Sequence, residues 1–549
     1  MQSQRILTVV MLYLLVPGGA WGQTLSAEID RLIVAQAGGT IAGPASDAEF
    51  LRRVTLDLAG TLPTPDETRK FLSDVNPDKR TQAIDRLLNG TDYPRRMAEL
   101  SSVILLERRD GQLVSDAGWQ TYLRESFTTN KPWNLLVRDL LAADGVDEKT
   151  RAGLRLMCDG GRGDPHVRTQ DFARIFLGRN IQCAQCHDHP TVSDYLQQDY
   201  FGLFALLSPS AVHRNKQQQP LLIETVVREK LTFQSVFKPE NKQSIGPRIP
   251  GGSEAEIPVV VAGQEFAVPP QDGLPGRPKF QPRLLWAEQL TAPTYRPFAR
   301  TAVNRFWFEL MGRGLVHPLD QDHSANPPSH PQVLDRLTDE FIAHNFDVRW
   351  LLRELALSAT YQRSSQLPDE LPAASVVPSS YRVALPRPLA AEQLAQATAQ
   401  ALGHRTRLNA ASPAQDSNFT YKDYINGRLP PPENWHDVLV VFVGTFAHPA
   451  GQAEVDFRPS VEHALFLEND RLIAAWLQPT EATLTGRLQA MTDHAVVAEE
   501  IYLALLARLP QDAERAEINE ILQSQSDRLA AIQDICAGIL SSAEFRLNH

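Results

Sequence analysis

The chain has 549 residues, enough for two or three domains, and an apolar fraction of 43% is that of a protein with real cores, which excludes a disordered chain. A formal net charge of -11, with no long lysine or arginine run, excludes a nucleic-acid grip or a grip on an anionic membrane. With only four cysteines in the chain, any cysteine motif stands out.

The amino terminus reads as a secretory signal. One basic side chain, Arg5, precedes an apolar run at 6–16 and the small-residue stretch 17–23, with a cut expected between Gly22 and Gln23. No other stretch reaches eighteen apolar residues, so the mature chain is expected to be exported, periplasmic or extracellular, with no transmembrane segment. Residues 24–106 then read as short helices. Ser46 and Glu49 form a capping box, Pro65 with Asp66 and Glu67 starts a helix, residues 78–88 make a third closed by Asn89 and Gly90, and 93–106 a fourth. Residues 119–127 and 133–143 keep the 3.6-residue rhythm.

A glycine-rich stretch, CDGGRGDPH at 158–166, follows. Its backbone could approach an anion with Arg162 or Arg168 as counter-charge, or it could be a plain turn. Apolar residues at 172, 175, 176 and 181 predict a helix leading into Cys183-Ala184-Gln185-Cys186-His187-Asp188-His189, with Pro190 as its end. Cys-x-x-Cys-His is the spacing of haem c attachment. Two thiols on one helical face reach the two vinyl groups, and His187 becomes the proximal iron ligand. Two other readings stay open: a Cys183–Cys186 disulfide, or a structural zinc held by Cys158, Cys183, Cys186 and His189. His189 is too near His187 in sequence to reach the opposite face of a haem, so a distal ligand would come from Met157, His166 or Met311.

An aromatic helix is expected at 195–207. From 210 to 282 proline, glycine and β-branched residues rise, with strands predicted at 222–227, 231–237 and 257–261. The second helical block opens with a strong amphipathic helix at 297–311 stopped by Gly312, then a proline loop and helices at 333–344 and 349–357. Asn304, Arg305, Trp307, Asp320, Asn326, Ser329 and His330 could form a site there, or simply satisfy the loop backbone. Helices at 498–506, 512–525 and 530–541 are expected to close the chain as a bundle.

These residues carry a resemblance. The stretch RRVTLDLAGTLPTP at 52–65, Arg168-Thr169, Phe176-Leu177-Gly178, the cysteine motif and the tyrosine-rich helix after it resemble the planctomycete-specific cytochrome-c-like domain. FARTAVNRFW at 298–307, GRGLV at 312–316, NPPSHP at 326–331, SATYQRSS at 358–365, YLALLARLP at 502–510 and SSAEFRLNH at 541–549 resemble the planctomycete-specific domain usually fused to it. Both families are of unknown function. The chain departs from them in SVILL at 102–106, where many relatives carry Trp-Leu-Asp, and in AHPAGQAEVDF at 447–457, which lacks the usual cysteine.

The expected architecture is therefore mainly α, with two multi-helix domains joined by a small β-rich insert. A signal peptide at 1–22 is followed by a helical cytochrome-c-like domain at 23–209, the insert at 210–282 and a helical domain at 283–549. The expected role is haem-c electron transfer, or a part in an oxidoreductase, with a redox protein as partner. The alternative is a non-haem scaffold for surface partners. No Gly-x-Ser-x-Gly elbow or His-Glu-x-x-His helix points to hydrolysis.

Overall fold

The computed structural model describes residues 24–549 apart from 112, 147–150, 272, 412–417 and 453–460, so the expected signal segment at 1–22 lies outside the described residues. The chain starts with α1 (Leu25–Ala37), α2 (Asp47–Ala59), α3 (Pro65–Ser73), α4 (Lys79–Leu88), α5 (Asp92–Leu106), α6 (Asp116–Thr128), α7 (Trp133–Ala142), α8 (Ala152–Cys158), α9 (Pro165–Leu177) and α10 (Gln197–Leu207). Local chemistry sets their ends. Ser46 Oγ accepts the Glu49 N–H at 3.2 Å to start α2, and Thr64 with Glu67 forms the reciprocal capping box of α3. Gly178 stops α9 in the left-handed region, at φ 63°. This corrects the expected helix through the cysteine motif: α9 ends at Leu177, and the cysteines sit on a separate single turn of 3₁₀ helix, Gln182–Gln185.

The insert forms antiparallel hairpins, β1 (Ser210–Arg214) with β2 (Pro220–Glu224), β3 (Leu231–Ser235) with β4 (Lys238–Ile245), and β5 (Phe266–Val268) with β6 (Arg277–Pro278). The segment 257–261 forms no strand. Val259 and Val261 are exposed, and a β-branched run without a neighbouring strand has no ladder to join.

The second block contributes α11 (Pro282–Thr291), α12 (Arg296–Met311), α13 (Pro331–Ala343) and α14 (Val348–Leu357), with Gly312 ending α12 at φ 76°. After the short strand β7 (Arg387–Pro388) come α15 (Ala391–Leu402), α16 (Arg405–Ala410), α17 (Tyr421–Ile425), α18 (Trp435–Phe446), α19 (Val461–Asn469), α20 (Arg471–Trp476), α21 (Leu484–Ala490), α22 (His494–Leu506), α23 (Asp512–Ser524), α24 (Arg528–Ser541) and α25 (Ala543–Arg546). The final strand β8 (Leu547–Asn548) returns to pair with β7. The closing helices α22, α23 and α24 pack on one another as a bundle.

The buried cores cut across the order of these blocks. The main core takes residues from α1 to α10 together with Trp286, Phe298, Trp307, Leu334 and Leu351 of α11 to α14. Phe172 of α9 stacks on Trp286 of α11 at 5.2 Å between ring centroids. The second core is built from α15 to α25, yet it also contains Leu56 and Leu62 from the amino-terminal block.

Helix α2 joins the two cores, and ten of its thirteen residues are buried. Arg52 donates to the carbonyls of Leu505, Glu544 and Phe545, while Arg53 donates to those of Tyr361 and Arg363. Asp57, on the same helix, accepts from the Tyr361 hydroxyl at 2.7 Å, the Asn548 amide at 2.8 Å and the Arg387 guanidinium. Asp57→Ala strips all three donors of their acceptor in a buried site. It is expected to destabilise the chain by about 3–5 kcal/mol, read as a lower denaturant midpoint with the carboxy-terminal helices the first to be cleaved by protease.

Two buried histidines add a pH dependence. His330 lies against Tyr381, and His404 stacks on Trp476 while donating Nε2–H to the Trp476 carbonyl at 2.9 Å. Burial holds both pKa values below the ordinary 6.5. Below that value the unfolded chain binds protons that the folded chain refuses, so this contribution is complete above about pH 6.5 and is lost as the pH falls. The thermal midpoint is expected to drop between about pH 6.5 and pH 5, with a shallower slope in His404→Gln, which keeps a donor but does not titrate.

Candidate functional site

The cysteine motif is held from three sides. Beneath it, Ala184 is fully buried and anchors the turn on the main core, while Cys183 and Cys186 face solvent as free thiols. The turn closes through the Cys186 N–H to the Cys183 carbonyl at 3.1 Å. From α9, Gln170 donates to the Gln185 side chain at 3.0 Å. From α10, the buried Gln197 donates to the Gln185 and Gln234 carbonyls, and its own N–H goes to the Asp188 carboxylate at 2.7 Å. The hairpin β3–β4 covers the third side. Its Val236 N–H donates to the Cys186 carbonyl at 3.0 Å, and the ring of Phe237, 74% exposed, lies 4.8 Å from that of His187.

The two histidines differ in what their nitrogens can do. His187 Nδ1 lies 2.7 Å from the Asp188 carbonyl, which only accepts, so in the neutral ring Nδ1 carries the proton and Nε2 keeps its lone pair. This is the tautomer of a metal-ligating histidine oriented by a carbonyl. His189 Nδ1 instead accepts the N–H groups of Thr191 and Val192, at 3.3 and 3.0 Å, which puts the proton of the neutral ring on Nε2. His189 is a turn-former, and ligation through Nε2 would require loss of that proton or of both hydrogen bonds.

The zinc set is not assembled. Cys158 ends α8 inside the main core, where burial pushes its thiol up to about 11, and among the described residues no group of three or more His, Cys, Asp or Glu side chains is placed to hold a metal ion. The candidate distal ligands are also engaged elsewhere. Met157 is fully buried, Met311 sits in the main core at the end of α12, and His166 bonds the Tyr200 hydroxyl at 2.7 Å while stacking on Phe204. The glycine-rich loop is a structural turn. Arg168 donates to the carbonyls of Arg162, Leu207 and Ser210, Arg162 pairs with Asp171 at 2.8 Å, and both side chains are fully buried, so the two guanidinium groups tie the loop to the core. Burial raises the pKa of Asp171, but Arg162, Arg174 and Arg109 together hold its carboxyl below the usual value.

Residues 28–211 match the model of PSCyt2, a protein of unknown function (DUF1549), and residues 282–522 match that of PSD1, a protein of unknown function (DUF1553). The chain is a fusion of these two families. No curated protein and no solved structure matches it.

In the PSD1 region the polar cluster divides. Asn304 exchanges two hydrogen bonds with the backbone of Val316, Asn326 donates to the carbonyls of His317 and Gln321, and Ser329 bonds His330, so these side chains satisfy the proline loop. Trp307 is buried against Tyr381. Asp320 offers its carbonyl to the Asn180 N–H at 2.8 Å, and Asp194, just beyond the cysteine motif, accepts the Ser324 N–H at 2.7 Å. The PSD1 loop therefore braces the PSCyt2 motif from the side. Arg305 alone leaves the cluster and lines a cavity of about 370 Å³ between the two cores.

The phenylalanine over His187, the bracing glutamines and the Arg305 cavity carry no local signal in the sequence. Within the motif the only local cue is Asp188, whose carbonyl and carboxylate hold His187 and α10. Thiol reactivity tests the placement directly. In protein made without haem attachment, iodoacetamide at about pH 8 is expected to alkylate Cys183 and Cys186. Cys158 and Cys536, raised to about 11 and about 12 by burial, are expected to stay unmodified until the chain is unfolded, as mass spectrometry of tryptic peptides will read.

Proposed function

We propose that this PSCyt2–PSD1 protein is exported and carries haem c on Cys183 and Cys186, with His187 as the proximal iron ligand, and that it works in electron transfer or as part of an oxidoreductase. One observation carries the reading: His187 donates Nδ1–H to the Asp188 carbonyl and so presents Nε2 beside two exposed thiols. When bound, the haem supplies a one-electron couple whose potential depends on its axial ligands and surroundings.

The chain's own residues prepare the place. Ala184 and the 3₁₀ turn hold the thiols at fixed spacing, Gln170 and Gln197 keep the turn from shifting, and Asp188 orients the imidazole. Phe237 offers an apolar ring beside His187 that sheds water from its face. Exposed thiols put any group attached to them at the surface, where an electron can pass to a docked partner. The expected export brings the two thiols to the side of the membrane where bacterial haem c is attached, and no described helix is long and apolar enough to cross a membrane.

The protein made with its leader in a host that matures haem c is expected to show a Soret band that stays with the polypeptide on a denaturing gel and is lost in Cys183→Ser/Cys186→Ser. His187→Ala is expected to keep the covalent band but shift the spectrum to that of an altered axial ligand, while His189→Ala leaves the spectrum in place. A colourless protein whose Cys183 and Cys186 both remain open to alkylation would sink the reading and favour the scaffold role.

A further inference from the structure

A cavity lies between the two cores. It has a volume of about 370 Å³, within the range of small-molecule pockets. Its walls include Leu100, Ile104, Phe308 and Leu394, which are apolar, and four arginines, Arg96, Arg305, Arg387 and Arg546. Three carboxylates also line it, but two are neutralised from behind: Glu107 by both nitrogens of Arg174 and Glu392 by both nitrogens of Arg108. Arg387 is likewise held by Asp57, and Arg96 faces Glu309 at 3.9 Å, so the surplus of positive charge on the lining rests on Arg305 and Arg546.

Arg305 is the feature that points to a ligand. It is 5% exposed, and among the described residues its only hydrogen bond is to the Arg174 carbonyl at 2.9 Å and its buried Nε has no acceptor. No carboxylate lies within ion-pairing distance of it among the described residues, unlike Arg162, Arg174 and Arg53, which each have one. A buried guanidinium left with unused donors is costly unless something completes its shell. Arg546, on the same cavity, likewise has a buried Nε with no acceptor among the described residues.

We propose that this cavity binds an organic monocarboxylate, with its carboxylate on the fork of Arg305 and its apolar body against Leu100, Ile104 and Phe308. A guanidinium fork matches a carboxylate with two parallel hydrogen bonds, and the apolar walls favour a hydrocarbon body over a bare inorganic anion. The site is independent of haem. Arg174, whose carbonyl holds Arg305, lies one helical turn along α9 from Gln170, which holds the cysteine turn, so the cavity and the motif share one helix.

Calorimetric titration of the full chain tests the proposal, with octanoate, octanamide and inorganic phosphate as probes. Octanoate is expected to bind at one site, and octanamide and phosphate each about tenfold more weakly or worse, because one lacks the charge and the other the apolar body. Arg305→Met is expected to weaken octanoate about tenfold and Arg305→Lys to restore part of it, each folded by its thermal transition. If Arg305→Met does not fold, Arg546→Met serves in its place, with weakened octanoate binding again expected. Equal binding of octanoate and octanamide, phosphate binding as tight as octanoate, unchanged affinity in the arginine variant, or no saturable octanoate heat would each overturn the proposal. None of these readouts needs attached haem, so failure here is separate from failure of the electron-transfer reading.

Discussion

Asp57 is the constraint on which the architecture depends. Its side chain is buried, and its three donors, Tyr361, Arg387 and Asn548, lie 304, 330 and 491 residues away in sequence. A buried carboxylate requires such partners, and each partner fixes a different segment against α2. Arg52, about one turn earlier, does the complementary work by filling carbonyls of α22 and α25 that the ends of those helices leave open. Helix α2 thus belongs to the PSCyt2 family by sequence and to both cores by packing. The family boundaries at 211 and 282 are therefore not physical boundaries: α11 to α14 complete the core of the first region, and Leu56 and Leu62 enter the core of the second.

The cysteine motif profits from the same economy of buried charge. Asp171 holds Arg109, Arg162 and Arg174, and through them the glycine-rich loop and the start of the cavity wall, to one side of α9. One turn before Arg174, Gln170 reaches from the same helix to the cysteine turn. A rigid helix therefore supports the short turn, which by itself has little to hold it. The hairpin β3–β4 and the PSD1 loop at 320–326 complete the support, so a motif lying entirely within one family is positioned by the insert and by the other family. The insert is more than a connector.

Helix ends are legible in the sequence where the physics that sets them is local. Ser46, Thr64 and Glu67 cap helices because a side-chain oxygen three residues from an unpaired N–H reaches it whatever the rest of the chain does. Gly312 stops α12 for an equally local reason, its left-handed backbone. Gly178 stops α9 in the same way, although the apolar periodicity running past it predicts a longer helix; that periodicity belongs instead to Ile181 packing into the core. The segment 257–261 forms no strand for a non-local reason, since β-branched residues make a strand only when a partner strand is present.

By itself the sequence determined the mainly helical class, the fusion of two families, most helix ends, and Cys183, Cys186 and His187 as the residues of interest, because composition, periodicity, capping and spacing act over a few residues. Only the tertiary structure decided that His187 and His189 present different nitrogens, that Cys158 stands apart in the core, that Phe237 covers the motif and that Arg305 faces a cavity. Those outcomes depend on which distant groups meet each side chain, and a side chain's protonation, exposure and free donors are set by its neighbours in space.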